Sequence, residues 1–158
     1  MHVAVVTVSD STAQGKRRDL SGPALRELSE GRGWQVVAAE VVPDEMEQIE
    51  GLLVELAEGR GVDVVLTTGG TGFGPRDVTP EATLNVIERE APGIAEAIRA
   101  ESLKKTVHGM LSRGRAGTLG HTLIVNMPGS PKAVKESFEA IAGALPHAVD
   151  LLRGGTPH

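Results

Sequence analysis

The richest chemistry in this sequence lies in residues 69–77, "GGTGFGPRD", which follow the apolar run "VDVVL". Gly69, Gly70, Gly72 and Gly74 lift the steric limit on the backbone and let a ligand approach it closely. Successive amide N–H groups in such a loop form a nest for an anion, and a following helix adds its positive end. Phosphate is the natural guest. The loop matches neither G-x-x-x-x-G-K-[ST] nor G-x-G-x-x-G, since it lacks a lysine and carries Pro75 where the second pattern needs glycine. A long structural turn is the competing reading. Asp77 fits two roles, a cap for the next helix or a ligand for Mg²⁺, which is typically held by one or two carboxylates plus substrate phosphates. Arg76 could neutralise a phosphate or pair with Asp77. Asp44, in "VVPDEME", reads locally as an N-cap, with Glu47 three residues on. Ser9 and Asp10 in "SDS", and Pro128, Gly129 and Ser130 in "NMPGSP", add hydroxyls, an acid and backbone amides to the candidate set, although both segments also read as ordinary cap loops.

These residues can meet only if the elements before them bring them to one edge. Residues 3–8, 34–42, 62–68 and 122–127 are short runs rich in β-branched and apolar residues, each ended by a turn signal, and they read as buried strands. Between them, residues 20–30, the stretch after Pro43 with Met46, Ile49, Leu53 and Leu56 on one face, the stretch from Thr79, and residues 92–105 read as helices. Thr79 is the expected N-cap of its helix, with Pro80 at N1. Residues 106–120 are expected to be irregular. One long C-terminal helix is expected to carry Val134, Phe138, Ile141, Leu145, Val149 and Leu152 on its apolar stripe, bent at Pro146. The alternation predicts an α/β fold with a mainly parallel sheet, organised as a single domain over residues 1–158. In such a sheet, ligands bind beyond the carboxyl ends of the strands, where "SDST", "PDE", "GGTGFGPRD" and "PGSP" all fall.

Composition narrows the class. The chain has 158 residues, a net charge of −5 and three aromatic residues, Trp34, Phe73 and Phe138. An acidic chain with so few stacking rings is a poor candidate for nucleic-acid binding. It has no cysteine, which removes disulfides, thiolate metal sites and a Cys nucleophile. No apolar run is long enough to span a membrane, and the N-terminus lacks the pattern of a signal peptide, so a cytoplasmic protein is expected. The cations Lys16, Arg17, Arg18, Arg76, Arg113, Arg115 and Lys132 fall in loops, and those at 16–18 read as solvated surface charge. His2, His108, His121, His147 and His158 show no metal-ligand spacing.

Taken in order, "TVSDS", "LSGP", "VVPDE", "TTGGTGFGPRDVTPEAT", "ESLK", "MLSRGRAG" and "TLIVNMPGSPKAV" resemble the molybdopterin adenylyltransferase family, whose domain also occurs as the G domain of gephyrin. The likeness runs from Val3 to about Leu152. It implies a three-layer α/β sandwich, assembled as a trimer or hexamer. It also implies adenylylation of molybdopterin by Mg-ATP, giving adenylyl-molybdopterin and pyrophosphate, within molybdenum cofactor biosynthesis and alongside other proteins of that route. By resemblance, Asp44 and Asp77 are the essential acids and the Mg²⁺ ligands. Gly69, Gly70, Thr71 and Gly72 form the glycine loop of the site, with Pro75 and Arg76 beside it, and Ser112, Arg113 and Pro128 to Ser130 line the pocket. A molybdopterin carrier without transferase activity is the alternative; retention of both aspartates speaks for the enzyme.

Overall fold

The computed structural model describes residues 1–156. The expectations for Pro157 and His158 lie outside the described residues. Among these, six strands form one sheet in the order β2-β1-β3-β6-β5-β4. The strands are β1 (His2–Val8), β2 (Gln35–Val42), β3 (Val64–Thr68), β4 (Arg89–Glu90), β5 (Ala116–Leu119) and β6 (Thr122–Met127). β1, β2, β3 and β6 are parallel; β5 runs antiparallel to β6, and β4 antiparallel to β5. The helices are α1 (Asp10–Ala13), α2 (Ser21–Gly31), α3 (Met46–Val54), α4 (Thr79–Val86), α5 (Pro92–Leu103), α6 (Pro131–Ile141) and α7 (Leu145–Leu152).

The period-two alternation of a strand separates two cores. Val3 and Val5 of β1 face one side, with Leu25 of α2, Ile98 of α5, Phe138 of α6 and Val149 of α7. Ala4, Val6 and Val8 face the other, with Ile49 and Leu53 of α3 and Ala82 of α4. Helices therefore cover both faces, the three-layer arrangement expected. Trp34 leans on Phe138 with ring centroids 5.4 Å apart, so two of the three aromatic residues serve the core rather than a ligand.

Several local expectations are corrected. Residues 106–120 are not all irregular: Val107–Leu111 form a 3₁₀ turn, and β5 closes a short hairpin with β6. Gly117 in β5 answers to close packing, because a Cβ there would stand 2.6 Å from the Arg89 carbonyl oxygen. The C-terminal stripe is split between two helices, with Pro146 in the first turn of α7 rather than at a bend. α3 gives way to a π turn at Glu55–Gly59, which still buries Leu56.

Asn126 on β6 is 3% exposed, and its side chain is fully paired. Its amide donates to Thr67 Oγ1 of β3 at 3.0 Å and to Thr83 Oγ1 of α4 at 2.9 Å. Its carbonyl oxygen accepts from the Arg115 backbone N–H at 3.0 Å. A buried polar node of this kind fixes register, because each partner is orphaned when it is lost. Asn126→Leu is expected to destabilise the protein by about 2–4 kcal/mol, read by urea denaturation. A loss under about 0.5 kcal/mol would show that the three partners find other bonds.

Candidate functional site

The helices that follow β1 and β3 lie on opposite faces of the sheet, so the loops leaving these adjacent strands part from one another. That divergence opens a crevice at the carboxyl edge, the usual ligand position in an open α/β sheet. A polar cavity of about 220 Å³ occupies it, lined among others by Ser9, Asp44, Gly69, Gly70, Asp77 and Gly129. The four loops expected to converge do so.

Asp44 is not a helix cap. α3 starts at Met46 with Glu45 in the cap position and no side-chain cap bond. The Asp44 carboxylate instead accepts from the Asp10 N–H at 2.8 Å, while Asp10 Oδ1 accepts from the Asp44 N–H at 3.0 Å. This reciprocal pair clasps the β1 and β2 loops together. Arg76 does not pair with Asp77. It reaches back to Asp10, at 3.0 and 3.1 Å, and to Glu45 at 2.7 Å, tying the glycine loop to the clasp. The guanidinium holds the Asp10 carboxyl below its ordinary range, and its two acid partners raise the affinity of Arg76 for its own proton. Asp44 moves the other way. Burial raises its pKa, the neighbouring charges of Asp10 and Asp77 add to the rise, and the Asp10 N–H and Arg76 oppose it.

The glycine loop is built to bring backbone into the crevice. Gly69 has φ +98° and Gly70 φ +68°, conformations that side chains disfavour. A Cβ on Gly69 would overlap the Val8 carbonyl oxygen, and a Cβ on Gly129 would stand 3.4 Å from the Gly69 Cα. Thr79 is not the N-cap of α4; it is the first residue of that helix, and its hydroxyl donates to the Gly69 carbonyl at 3.0 Å. Asp77 caps no helix either. Its carboxylate accepts from the Gly74 N–H at 2.9 Å, closing a tight turn that leaves it beside the cavity. Thr71 is buried, and its carbonyl accepts from the Arg113 N–H at 2.9 Å. Gly72 and Gly74 flank the Asp77 carboxylate, while Pro75 is exposed.

Arg113 differs most from its expected place. Its guanidinium donates to the Gly72 carbonyl at 2.7 Å and to the Asp77 carbonyl at 2.8 Å, and it pairs with Glu81. All of these partners belong to the protein, so Arg113 braces the glycine loop from behind. With Ser112 it lines a second cavity, of about 290 Å³, between α4 and α5. Pro128 offers its carbonyl to Thr68 Oγ1 at 2.7 Å. Ser130 caps α6 by accepting from the Ala133 N–H at 3.2 Å, and Ser9 caps α1 by accepting from the Thr12 N–H at 3.3 Å.

The cavity also draws in Arg17 and Arg18, which read from sequence as solvated surface charge, and Asp19, which no motif singled out. Asp19 accepts from Thr7 Oγ1 at 2.7 Å and from the Gly22 N–H at 3.0 Å, so it anchors its loop on β1 and α2. The available signal was the basic run "KRRD" running straight into "LSGP".

Two carboxylates facing one cavity suit a divalent cation that is completed by phosphate oxygens. Among the described residues, no group of three or more His, Cys, Asp or Glu side chains could hold a metal by itself. Burial first, and the charges of Asp10 and Asp77 after it, disfavour the ionised form of Asp44, and a cation between the acids would offset both.

A family model described as a probable molybdopterin binding domain matches residues 4–147. The molybdenum cofactor synthesis protein cinnamon of Drosophila melanogaster is 48% identical over 149 residues, covering 94% of this chain but only 25% of its own length. A molybdopterin adenylyltransferase of Helicobacter pylori (strain J99) is 40% identical over 156 residues, covering 98% of this chain and 89% of its own. Among solved structures, the molybdopterin biosynthesis enzyme MoaB from Thermus thermophilus is similar, with a TM-score of 0.92 and 48% identity over 97% of this chain and 96% of its own.

Proposed function

Because this chain belongs to the molybdopterin-binding domain family of molybdenum cofactor biosynthesis, we propose that it adenylylates molybdopterin at the crevice between β1 and β3. The observation that carries the reading is that Asp44 and Asp77, from different loops, line one cavity with the backbone of Gly69 and Gly70. An oxygen of the terminal phosphate of molybdopterin attacks the α-phosphorus of ATP. The bond from that phosphorus to the oxygen bridging it to the β-phosphate breaks, and pyrophosphate departs with the bridging oxygen and its electron pair. Both reactants are anions, so the protein must hold them in line and lower their mutual repulsion.

Asp44 and Asp77 are the residues that would hold Mg²⁺. An ion held there would supply charge neutralisation for the leaving pyrophosphate. The chain's own contribution is preorganisation. The Asp10–Asp44 clasp fixes one carboxylate, the Gly74–Asp77 turn fixes the other, and Arg76 and Arg113 hold the loops that carry them. Glycine at residues 69 and 70 lets the main chain pack against the Val8 carbonyl oxygen and Thr79 Oγ1, which sets the loop backbone along the cavity wall. No covalent protein intermediate is needed. A cytoplasmic homotrimer is the working assembly proposed, on the strength of the family resemblance.

The reading is tested by incubating the purified protein with molybdopterin, ATP and Mg²⁺ and separating the products. Adenylyl-molybdopterin and pyrophosphate are expected in equal amounts. Molybdopterin that binds tightly and gains no AMP would identify a carrier instead.

A further inference from the structure

We propose that Arg17 and Arg18 bind the phosphate chain of the nucleotide in the Asp44–Asp77 cavity, an assignment that rests on the adenylyl-transfer reading. Most guanidinium groups among the described residues are already committed to partners on the protein. Arg76 is spent on Asp10 and Glu45, Arg113 on Glu81 and two carbonyls, and Arg99 on the carbonyls of Ser112 and Gly114. Arg17 and Arg18 line the cavity and make no side-chain hydrogen bond or ion pair among the described residues.

The cavity needs them. Its other charged side chains are Asp19, Asp44 and Asp77, and an anion entering beside three carboxylates is repelled. Mg²⁺ on two of those acids offsets part of that repulsion, and a polyphosphate still brings more negative charge than one divalent ion neutralises. Two free guanidinia at the same opening supply the remainder and match phosphate oxygens in bidentate geometry.

The run is also held in place rather than waving in solvent. The backbone N–H groups of Lys16 and Arg17 donate to the Ser11 carbonyl at 2.9 and 3.3 Å, and Asp19 is bonded to Thr7 and Gly22. Ordering a loop before the ligand arrives reduces the entropy lost on binding. This is why a basic run that reads as surface charge takes on a binding role.

The test is calorimetric titration of the full chain with ATP and Mg²⁺, with pyrophosphate, and separately with molybdopterin. The Arg17→Ala/Arg18→Ala variant is expected to weaken ATP and pyrophosphate binding by about 10- to 100-fold, the scale of hydrogen bonds to a charged group. Molybdopterin binding should stay within about twofold. Arg17→Lys/Arg18→Lys keeps the charge and loses the fork, and it should fall between parent and double alanine. Arg32→Ala/Arg89→Ala removes the same charge away from the cavity and should leave ATP binding unchanged. Equal losses in the two alanine pairs would reduce the effect to net charge and overturn the assignment. Loss of molybdopterin binding with ATP binding intact would overturn it in favour of the pterin phosphate. A parent that binds neither ATP nor pyrophosphate overturns it outright. A parent whose ATP binding depends on both arginines but which transfers no AMP refutes the adenylyl-transfer reading and leaves the phosphate site standing.

Discussion

Asp44→Asn is expected to lower AMP transfer by about 10²- to 10³-fold, the cost of removing one preorganised charge-stabilising group from an active site, while leaving the protein at least as stable as the parent. The asparagine side chain keeps an oxygen for the Asp10 N–H, so the clasp between the β1 and β2 loops survives. What it loses is the negative charge that would hold Mg²⁺. The stability half of this result follows from the raised pKa of Asp44, caused first by burial and then by the charges of Asp10 and Asp77. A carboxyl whose pKa is higher folded than unfolded favours the folded state most when protonated, below the unfolded pKa. That contribution is lost as pH rises through the folded pKa. At neutral pH the ionised Asp44 therefore works against the fold, and asparagine relieves it. In metal-free buffer, the Tm of the variant should match the parent near pH 3 and exceed it by pH 7. Asp77→Asn should show a similar loss of transfer for the same lost charge, with the turn kept because an amide oxygen can still accept from the Gly74 N–H. A variant that transfers AMP at the parent rate would remove Asp44 from the mechanism. One that melts well below the parent would restore a structural role to its charge.

The strands were legible because burial on both faces leaves a plain mark. β1, β3 and β6 are dominated by valine, leucine, isoleucine and threonine, and their observed ends fall within two residues of those read from sequence. β4 and β5 left no such mark. The first is two exposed charged residues, and the second is "AGTL", whose glycine answers to the chain crossing over it. The convergence of the four loops was also legible, because it follows from parallel strands alone. What spacing could not reveal was which partner each polar side chain takes. Asp44 and Thr79 sit where caps belong, yet their side chains bond to Asp10 and Gly69, which are 34 and 10 residues away. Arg76 stands next to Asp77 in sequence and bonds to Asp10, 66 residues distant. Local propensity ranks local partners, whereas the closed fold offers nearer ones. Arg17 and Arg18 show the same limit in reverse: a run of charge has no periodicity to reveal that a cavity lies under it.

The glycine loop gives the other large expected effect. Gly69→Ala should cost about 3 kcal/mol or more of stability and bring AMP transfer close to background, because two separate penalties coincide at this residue. The first is conformational: φ is +98°, which a Cβ disfavours. The second is steric, and it cannot be relieved by turning a side chain, since the obstacle is the Val8 carbonyl oxygen at the end of β1. The backbone must move instead. Gly69 is held by its own N–H to the Met127 carbonyl at 3.3 Å and by its carbonyl to Thr79 Oγ1 at 3.0 Å. Moving it shifts the ends of β1, β3 and β6 and the start of α4 together, and the cavity is the space between them. Gly33→Ala separates the two penalties. Gly33 has φ +77° with nothing within 4 Å of an added Cβ, and it lies in the turn before β2, at the opposite end of that strand from Asp44. It should cost only about 1 kcal/mol and leave AMP transfer unchanged. Denaturant melts and product assays on the two variants decide between the causes. Equal destabilisation would mean that backbone conformation alone demands glycine at residue 69. The larger loss at Gly69, with transfer gone, would mean that the residue is a glycine so that three strand ends can close on one ligand.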